Sequence, residues 1–211
     1  MSKLNLLFGP HAKNKFAYVD LNGEAIYTFR RDELENPLLD AEFCEQWIKY
    51  LHRRLKCDVS YGGYMENRSF IWRNSYLGSP AIHLGVDVNC DCDSAIYCPV
   101  AFKVLEIVRD LDQNGGWGER LLVETRNGLV IFAHLAGAQA VLEVGKSYPG
   151  MTIIGFIAGS KYNGGWFPHL HLQGVRDISL MEGIDGYYTG SMKSGELSVD
   201  YPNPFKILDM K

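Results

Sequence analysis

Pro168-His169-Leu170-His171-Leu172-Gln173 is the stretch on which the reading of this chain turns. Its polar and aliphatic residues alternate, the period of a β-strand, and a strand projects residues i and i+2 to one face. His169 and His171 would therefore present two imidazoles together. Two further stretches carry histidine in an aliphatic setting: His83-Leu84-Gly85-Val86-Asp87 and Phe132-Ala133-His134-Leu135. The chain has only 6 histidines, and four of them fall in these three places. Neutral imidazoles with a carboxylate are a common ligand set for a catalytic divalent metal, so the pattern points to a metal site of hydrolytic type.

Working outward, the region from about residue 57 reads as short strands: 81–88, 96–108, 120–125, 129–134 and 151–158. Turn clusters separate them, among them Asn114-Gly115-Gly116, Arg126-Asn127-Gly128, Tyr148-Pro149-Gly150 and Asn163-Gly164-Gly165. Many short strands with glycine-rich connections predict a mainly β, antiparallel domain. Ahead of it, Phe16–Val19 and Ala25–Phe29 flank Asn22-Gly23, a turn signal that predicts a hairpin. Asp40 then caps an expected helix over about 41–56, with Phe43, Trp47, Ile48, Leu51 and Leu55 at helical spacing. The expected organisation is an N-terminal α+β extension over 1–70, a core over 71–180, and a tail over 181–211 laid across the surface.

The proposed ligands can be tested against strand geometry. His83 and Asp87 share a face of a strand but would stand about 13 Å apart if it were fully extended. A bend or bulge at Gly85 has to shorten that gap if both are to reach one ion. His171 supplies a third ligand from another strand, and two histidines with one carboxylate leave a coordination position open for water. His134 and His169 remain for proton transfer or oxyanion stabilisation; either is also compatible with a plain packing role.

These three stretches, in this order, resemble the M23 family of zinc metallopeptidases, the lysostaphin-type or LytM-type endopeptidases. The family's H-x-x-x-D, A-H-L and proline-preceded H-x-H motifs all occur, and the likeness covers about residues 72–176. It extends to Gly115-Gly116-Trp117-Gly118 and to the segment from Val144-Gly145-Lys146 through Ile154-Gly155. The resemblance implies an antiparallel β-sheet groove with one zinc ion per chain held by His83, Asp87 and His171. It implies catalytic roles for His134 and His169, and hydrolysis of peptide bonds in bacterial peptidoglycan or peptides derived from it. Some members place a tyrosine near the oxyanion shortly before the first ligand, where Tyr76 stands. Segments before the core can cover the groove in this family, with His11, His52 or Asn74 as the candidate plug; a plain packed extension is the other reading. Gly63-Tyr64-Met65-Glu66-Asn67-Arg68 and Asn163–His171 resemble a branch of small proteins or of modules fused to aminotransferase-like domains. The chain departs from the family at Asn89-Cys90-Asp91-Cys92-Asp93-Ser94, where a small glycine-rich turn is usual, and at Phe102, where glycine is common.

Composition narrows the partners. A net charge of −4 gives no basic footprint, so a nucleic-acid partner is not expected. No run approaches the roughly 18 apolar residues that span a bilayer, and the first residues lack a signal-peptide core. The default expectation is the cytoplasm, with unconventional export as the alternative route to a wall substrate; oligomeric state is not readable. Five cysteines, an odd number, read as free thiols, while Cys90, Cys92 and Cys98 also admit a second metal site or a redox switch. Two other functions fit parts of the pattern. A non-haem iron oxygenase also uses two histidines and a carboxylate, but leaves the A-H-L stretch and the His169/His171 doublet unexplained. A non-catalytic peptidoglycan- or peptide-binding regulator would keep the groove, but needs no retained ligands.

Overall fold

The computed structural model describes residues 2–29, 36–75, 77 and 79–210. Among the described residues twelve strands occur in chain order: β1 (Phe16–Tyr18), β2 (Val59–Gly62), β3 (Ile82–His83), β4 (Val86–Asn89), β5 (Ala95–Cys98), β6 (Phe102–Asp110), β7 (Gly118–Thr125), β8 (Gly128–Ala136), β9 (Ser147–Tyr148), β10 (Thr152–Ile157), β11 (His169–Val175) and β12 (Tyr187–Tyr188). The helices are α1 (Leu21–Thr28), α2 (Ala41–Leu55), α3 (Ala138–Val141), α4 (Ser194–Asp200) and α5 (Pro204–Ile207). The protein is mainly β, as its sequence predicts.

Ten strands form one sheet in the order β1-β2-β4-β11-β8-β7-β6-β9, with β10 bridging β8 and β5. All pairings are antiparallel except that of β1 with β2 at one edge. The short pair β3–β12 stands apart. β11 lies at the centre between β4 and β8, and every residue of β11 and β4 is buried. Strand alternation divides their side chains. Leu170, Leu172, Val86 and Val88 join the main core with Val130 and Phe132, which leaves His169, His171, Asp87 and Asn89 for the opposite face. Burying one aliphatic side chain of this kind contributes about 1.5–3 kcal/mol. The polar face is thus pinned by a hydrophobic one on the same strands.

α2 forms as its pattern predicts. The Asp40 side chain caps it by accepting from the Phe43 N–H, and Cys44, Trp47, Ile48 and Leu51 are buried. Phe43 and Leu55, at the margins of the expected apolar face, are exposed. The predicted hairpin around Asn22-Gly23 is not formed. β1 pairs with β2 instead, and residues 21–28 coil into α1. The local turn signal loses to a helix cap: Asp20 accepts from the Gly23 N–H at 2.8 Å, and Leu21 and Ala25, four residues apart, bury one helical face. The Asn22 side-chain oxygen also accepts from Phe70 and Ile71, a tertiary use that local turn propensity does not register. The expected strand over 96–108 is two strands, β5 and β6, divided at Pro99, which has no N–H to give the ladder.

The C-terminal residues do more than lie across the surface. Tyr187 and Tyr188 pair with β3, while Leu197, Ile207, Leu208 and Met210 are buried. Among the described residues, no helix is long and apolar enough to cross a membrane.

Candidate metal centre

The chain breaks between β3 and β4 at Leu84-Gly85, and this break closes the gap between His83 and Asp87. Their Nε2 and Oδ1 atoms stand 3.3 Å apart, where an unbroken strand would hold them far from each other. Gly85 is required there by close approach: a Cβ would lie 2.4 Å from the Leu172 carbonyl oxygen and 2.6 Å from the His171 ring. On the neighbouring strand His171 sits directly across from Asp87. Its Nδ1 is 3.0 Å from Asp87 Oδ1 and 3.1 Å from His83 Nε2. Among the described residues, His83, Asp87 and His171 are the one group of three such side chains placed to hold a metal ion.

The hydrogen-bond partners fix which atoms carry protons. His83 Nδ1 faces the Gly63 carbonyl at 3.0 Å, and a carbonyl can only accept, so Nδ1 bears the proton and Nε2 is bare. Gln173 donates its amide N–H to the Asp185 carbonyl, which turns its oxygen toward His171 Nε2 at 2.9 Å. A neutral His171 with Nε2 donating there turns an unprotonated Nδ1 toward the cluster. Burial, helped by the Arg68 charge, pushes His83 down to about 3, so it is neutral at neutral pH. With both rings neutral, three lone-pair donors converge at 3.0–3.3 Å. Such a cluster repels itself unless a cation sits among its atoms. The spacing matches the separation of about 3.3 Å that tetrahedral zinc imposes on ligands about 2.0–2.1 Å away. The donor set fits a divalent metal, and the Gly63 and Gln173 contacts are of the kind that would orient imidazoles toward one.

Asp87 is held from its other side as well. Its Oδ2 accepts from Arg68 Nη1 at 2.5 Å, and both side chains are almost wholly buried. Arg68 also donates to Glu66 at 2.8 Å and to the Tyr187 hydroxyl at 3.2 Å. Burial disfavours the guanidinium charge, but Tyr187, Asp87 and Glu66 outweigh it and keep Arg68 cationic. Burial likewise opposes the Asp87 charge, and the adjoining Arg68 guanidinium favours it; the carboxyl lies well below its usual range. Gly63 makes room for this pair: its φ is +94°, and a Cβ would meet Arg68 Nη2 at 2.1 Å.

The other two histidines stand beside the cluster. His169 donates from Nδ1 to the Phe167 carbonyl at 2.7 Å, leaving Nε2 bare 3.8 Å from Asp87 Oδ1. His134 comes from β8, where the pairing with β7 shifts register between Glu119 and Leu121. At this bulge His134 takes a φ of +62°, an unusual backbone state for a residue other than glycine. Ala133 is the residue opposite His171, and the bulge re-aims the next side chain to the same cavity. The His134 and His169 rings lie 4.4 Å apart. Burial lowers the pKa of both, with mutual repulsion adding to the effect at His134. Both are neutral at neutral pH. Among the described residues, His134 Nδ1 is a buried atom with no hydrogen-bond partner.

The five predicted residues thus converge on one cavity of about 240 Å³. Trp117, Trp72, Trp166 and Tyr187 wall it, together with the 113–115 and 163–165 turns and Asp185-Gly186. Of the candidate plugs, His11 is exposed and His52 bonds to Ser60 at 2.9 Å; neither lines the cavity, nor does Asn74. Tyr76 lies outside the described residues. The cysteines are free, with Cys90 and Cys98 buried and Cys92 exposed. Burial pushes the Cys90 and Cys98 thiols up, the latter to about 12, so neither is a thiolate at neutral pH. Sequence reasoning gave no role to Arg68, Gln173 or Tyr187. Gln173 was within its reach, since it sits two residues from His171 on the same strand face. Arg68 ends a stretch singled out only for its likeness to one branch, and nothing in the local sequence assigns a role to it or to Tyr187.

No family model matches the chain, and no curated protein matches it. Solved structures do. The catalytic domain of the antimicrobial peptidase lysostaphin from Staphylococcus simulans is 17% identical, over 78% of this chain and 97% of its own, with a TM-score of 0.44. A chain described as a peptidase M23 from Pseudomonas aeruginosa is 24% identical over 48% of this chain, with a TM-score of 0.37. This protein spans 41% of that chain's length. A point variant of the catalytic domain of the prophage-encoded M23 protein EnpA from Enterococcus faecalis is 14% identical, over 62% of this chain and 93% of its own, with a TM-score of 0.41.

Proposed function

We propose that the protein is a zinc-dependent peptidase that hydrolyses peptide bonds, with peptidoglycan or peptides derived from it as substrate. The observation that carries this reading is the convergence of three ligand atoms, from His83, Asp87 and His171, beside two neutral imidazoles that are not needed as ligands. The motif resemblance to M23 peptidases supplies the substrate class. A divalent metal at His83 Nε2, Asp87 Oδ1 and His171 Nδ1 would supply the Lewis acidity that makes water a nucleophile near neutral pH.

The chain's own groups do the rest. His169 Nε2 is unprotonated and faces the cluster, so it receives the proton of the attacking water. Its Nδ1–H stays on the Phe167 carbonyl, which keeps the ring from turning. His134, neutral and 4.4 Å away ring to ring, offers an N–H to the developing oxyanion without first giving up a charge. The proton held at His169 then passes to the leaving nitrogen. Trp117, packed 5.5 Å from the His171 ring, shields the ligand edge from bulk water.

The test is incubation of the zinc-loaded protein with peptidoglycan fragments and with small glycine- and D-alanine-containing peptides. Cleavage should vanish on chelation and fall about 10²–10⁴-fold in His169→Ala. Cleavage that survives both treatments would refute the mechanism. Iron at the site with substrate-dependent oxygen uptake would refute the peptidase reading itself.

A further inference from the structure

The cavity wall closes on itself. Starting from Trp117, the next element round is Gly186, where a side chain would touch the Trp117 ring at 3.8 Å. Tyr187 follows in the chain, and its ring meets Trp72 edge-on at 5.6 Å. Trp72 packs on Trp166 with ring centroids 4.8 Å apart. The Trp166 turn then leads back through Gly164, whose carbonyl accepts from the Gly115 N–H at 2.9 Å, two residues from Trp117. The members of this circuit lie against the histidines from several directions: Trp117 and Gly186 on His171, Tyr187 on His83 and Trp166 on His169. It draws on the segment before β3, both glycine turns and the residues just before and within β12.

Each part of the circuit is also tied down. Trp166 Nε1 donates to the Leu38 carbonyl at 2.9 Å in a buried contact. Gly186 accepts from the Leu84 N–H at 2.8 Å, and Asp185 accepts from Gln173, itself bonded to His171. Gln113 donates to the Lys161 carbonyl at 2.9 Å, tying the first turn to the residues just before the second. An open trench lets a polymer enter at one end and leave at the other, whereas a closed rim admits only what fits through its mouth. Resting on the peptidase reading above, we infer that the site is a well that takes the end of a peptide chain, or a short free peptide, and excludes the middle of a long or cross-linked one. Trp72 is the rim residue that imposes this selection, because it joins the N-terminal segment to both Trp166 and Tyr187.

Phosphinic glycylglycine isosteres, which mimic the tetrahedral state of peptide hydrolysis, test this on the zinc-loaded full chain by calorimetric titration. Four probes suffice: the bare dipeptide isostere, the same extended by four residues on its amino side, on its carboxyl side, and on both. The expected result is that the bare probe and at least one singly extended probe bind within tenfold of each other, while the doubly extended probe binds at least 100-fold more weakly. Trp72→Ala should recover at least tenfold for the doubly extended probe alone. Should that variant not fold, the four probes on the parent protein still decide. A doubly extended probe that binds within threefold of the bare one overturns the well and leaves the peptidase reading standing. Failure of both singly extended probes overturns recognition of chain ends. If no probe binds to protein shown to carry zinc, the peptidase reading falls and this inference falls with it.

Discussion

The floor of the cavity comes from β4, β11 and β8 at the centre of the sheet and from His83 at the break before β4, whereas its rim is gathered from distant parts of the chain. On the floor, register does the positioning. Asp87, His171 and Ala133 stand opposite one another across three strands, so backbone hydrogen bonds set the ligand spacing before any side chain chooses a rotamer. On the rim, single tertiary contacts do it: an indole on the Leu38 carbonyl, one ring against another, a carbonyl bonded across two turns. A regular lattice leaves a period in the sequence, and isolated contacts leave none. Arg68 joins the two regions, because it comes from the N-terminal segment, pairs with Asp87 on the floor and bonds Tyr187 on the rim.

Breaking that joint should give the largest effect. Asp87→Asn removes a proposed metal ligand and strands a buried guanidinium, and loss of one partner of a buried pair costs about 3–5 kcal/mol. Thermal and denaturant unfolding of the variant should show that loss together with a loss of bound metal. A variant as stable as its parent would mean that floor and rim are not coupled through Arg68.

Acid should weaken the floor next. His83, His134 and His169 all have lowered pKa values in the folded metal-free protein, His83 at about 3. The unfolded chain takes up protons near pH 6.5 that these folded sites refuse, so it binds more protons than the native state in that range. Stability is therefore complete above about pH 6.5 and falls below it, by up to about 1.4 kcal/mol per pH unit for each such group. Urea unfolding of the metal-free protein at pH 7.5 and 5.5 checks the sign. A flat profile would show that the imidazoles are not held neutral by burial.

The smallest effect belongs to the rim side of the joint. Tyr187→Phe loses one hydrogen bond to Arg68, worth about 1 kcal/mol, while both rings it packs against remain in reach. Zinc affinity should change less than threefold. A larger change would make Tyr187 part of the floor in energetic terms and blur the distinction between the two regions.

The same distinction explains what the sequence discloses. His169, His171 and the alternating leucines announce a half-polar central strand, and Gly85 marks the place where His83 and Asp87 must be brought together. Both features are local and follow from strand geometry. α2 was legible for the same reason, with a cap and a 3.6-residue period. Asn22-Gly23 misleads because its turn chemistry competes with the Asp20 cap and with bonds to Phe70 and Ile71, which lie far away in sequence. Arg68 and Tyr187 are separated by 119 positions and meet only in the folded molecule. No window of sequence contains the reason for either. Gln173 falls between these cases, on the right face of a readable strand but with a partner, Asp185, that only the fold supplies.

In the proposed mechanism the histidine doublet of β11 divides by role: His171 holds the metal and His169 handles the proton. Metal content after exhaustive dialysis against buffer containing trace zinc, measured on the parent, His171→Ala and His169→Ala proteins, tests it most directly. The parent and His169→Ala should each retain about one zinc per chain, as three intact ligands require, and His171→Ala should retain none. Zinc kept by His171→Ala, or lost from a folded His169→Ala, would contradict the account.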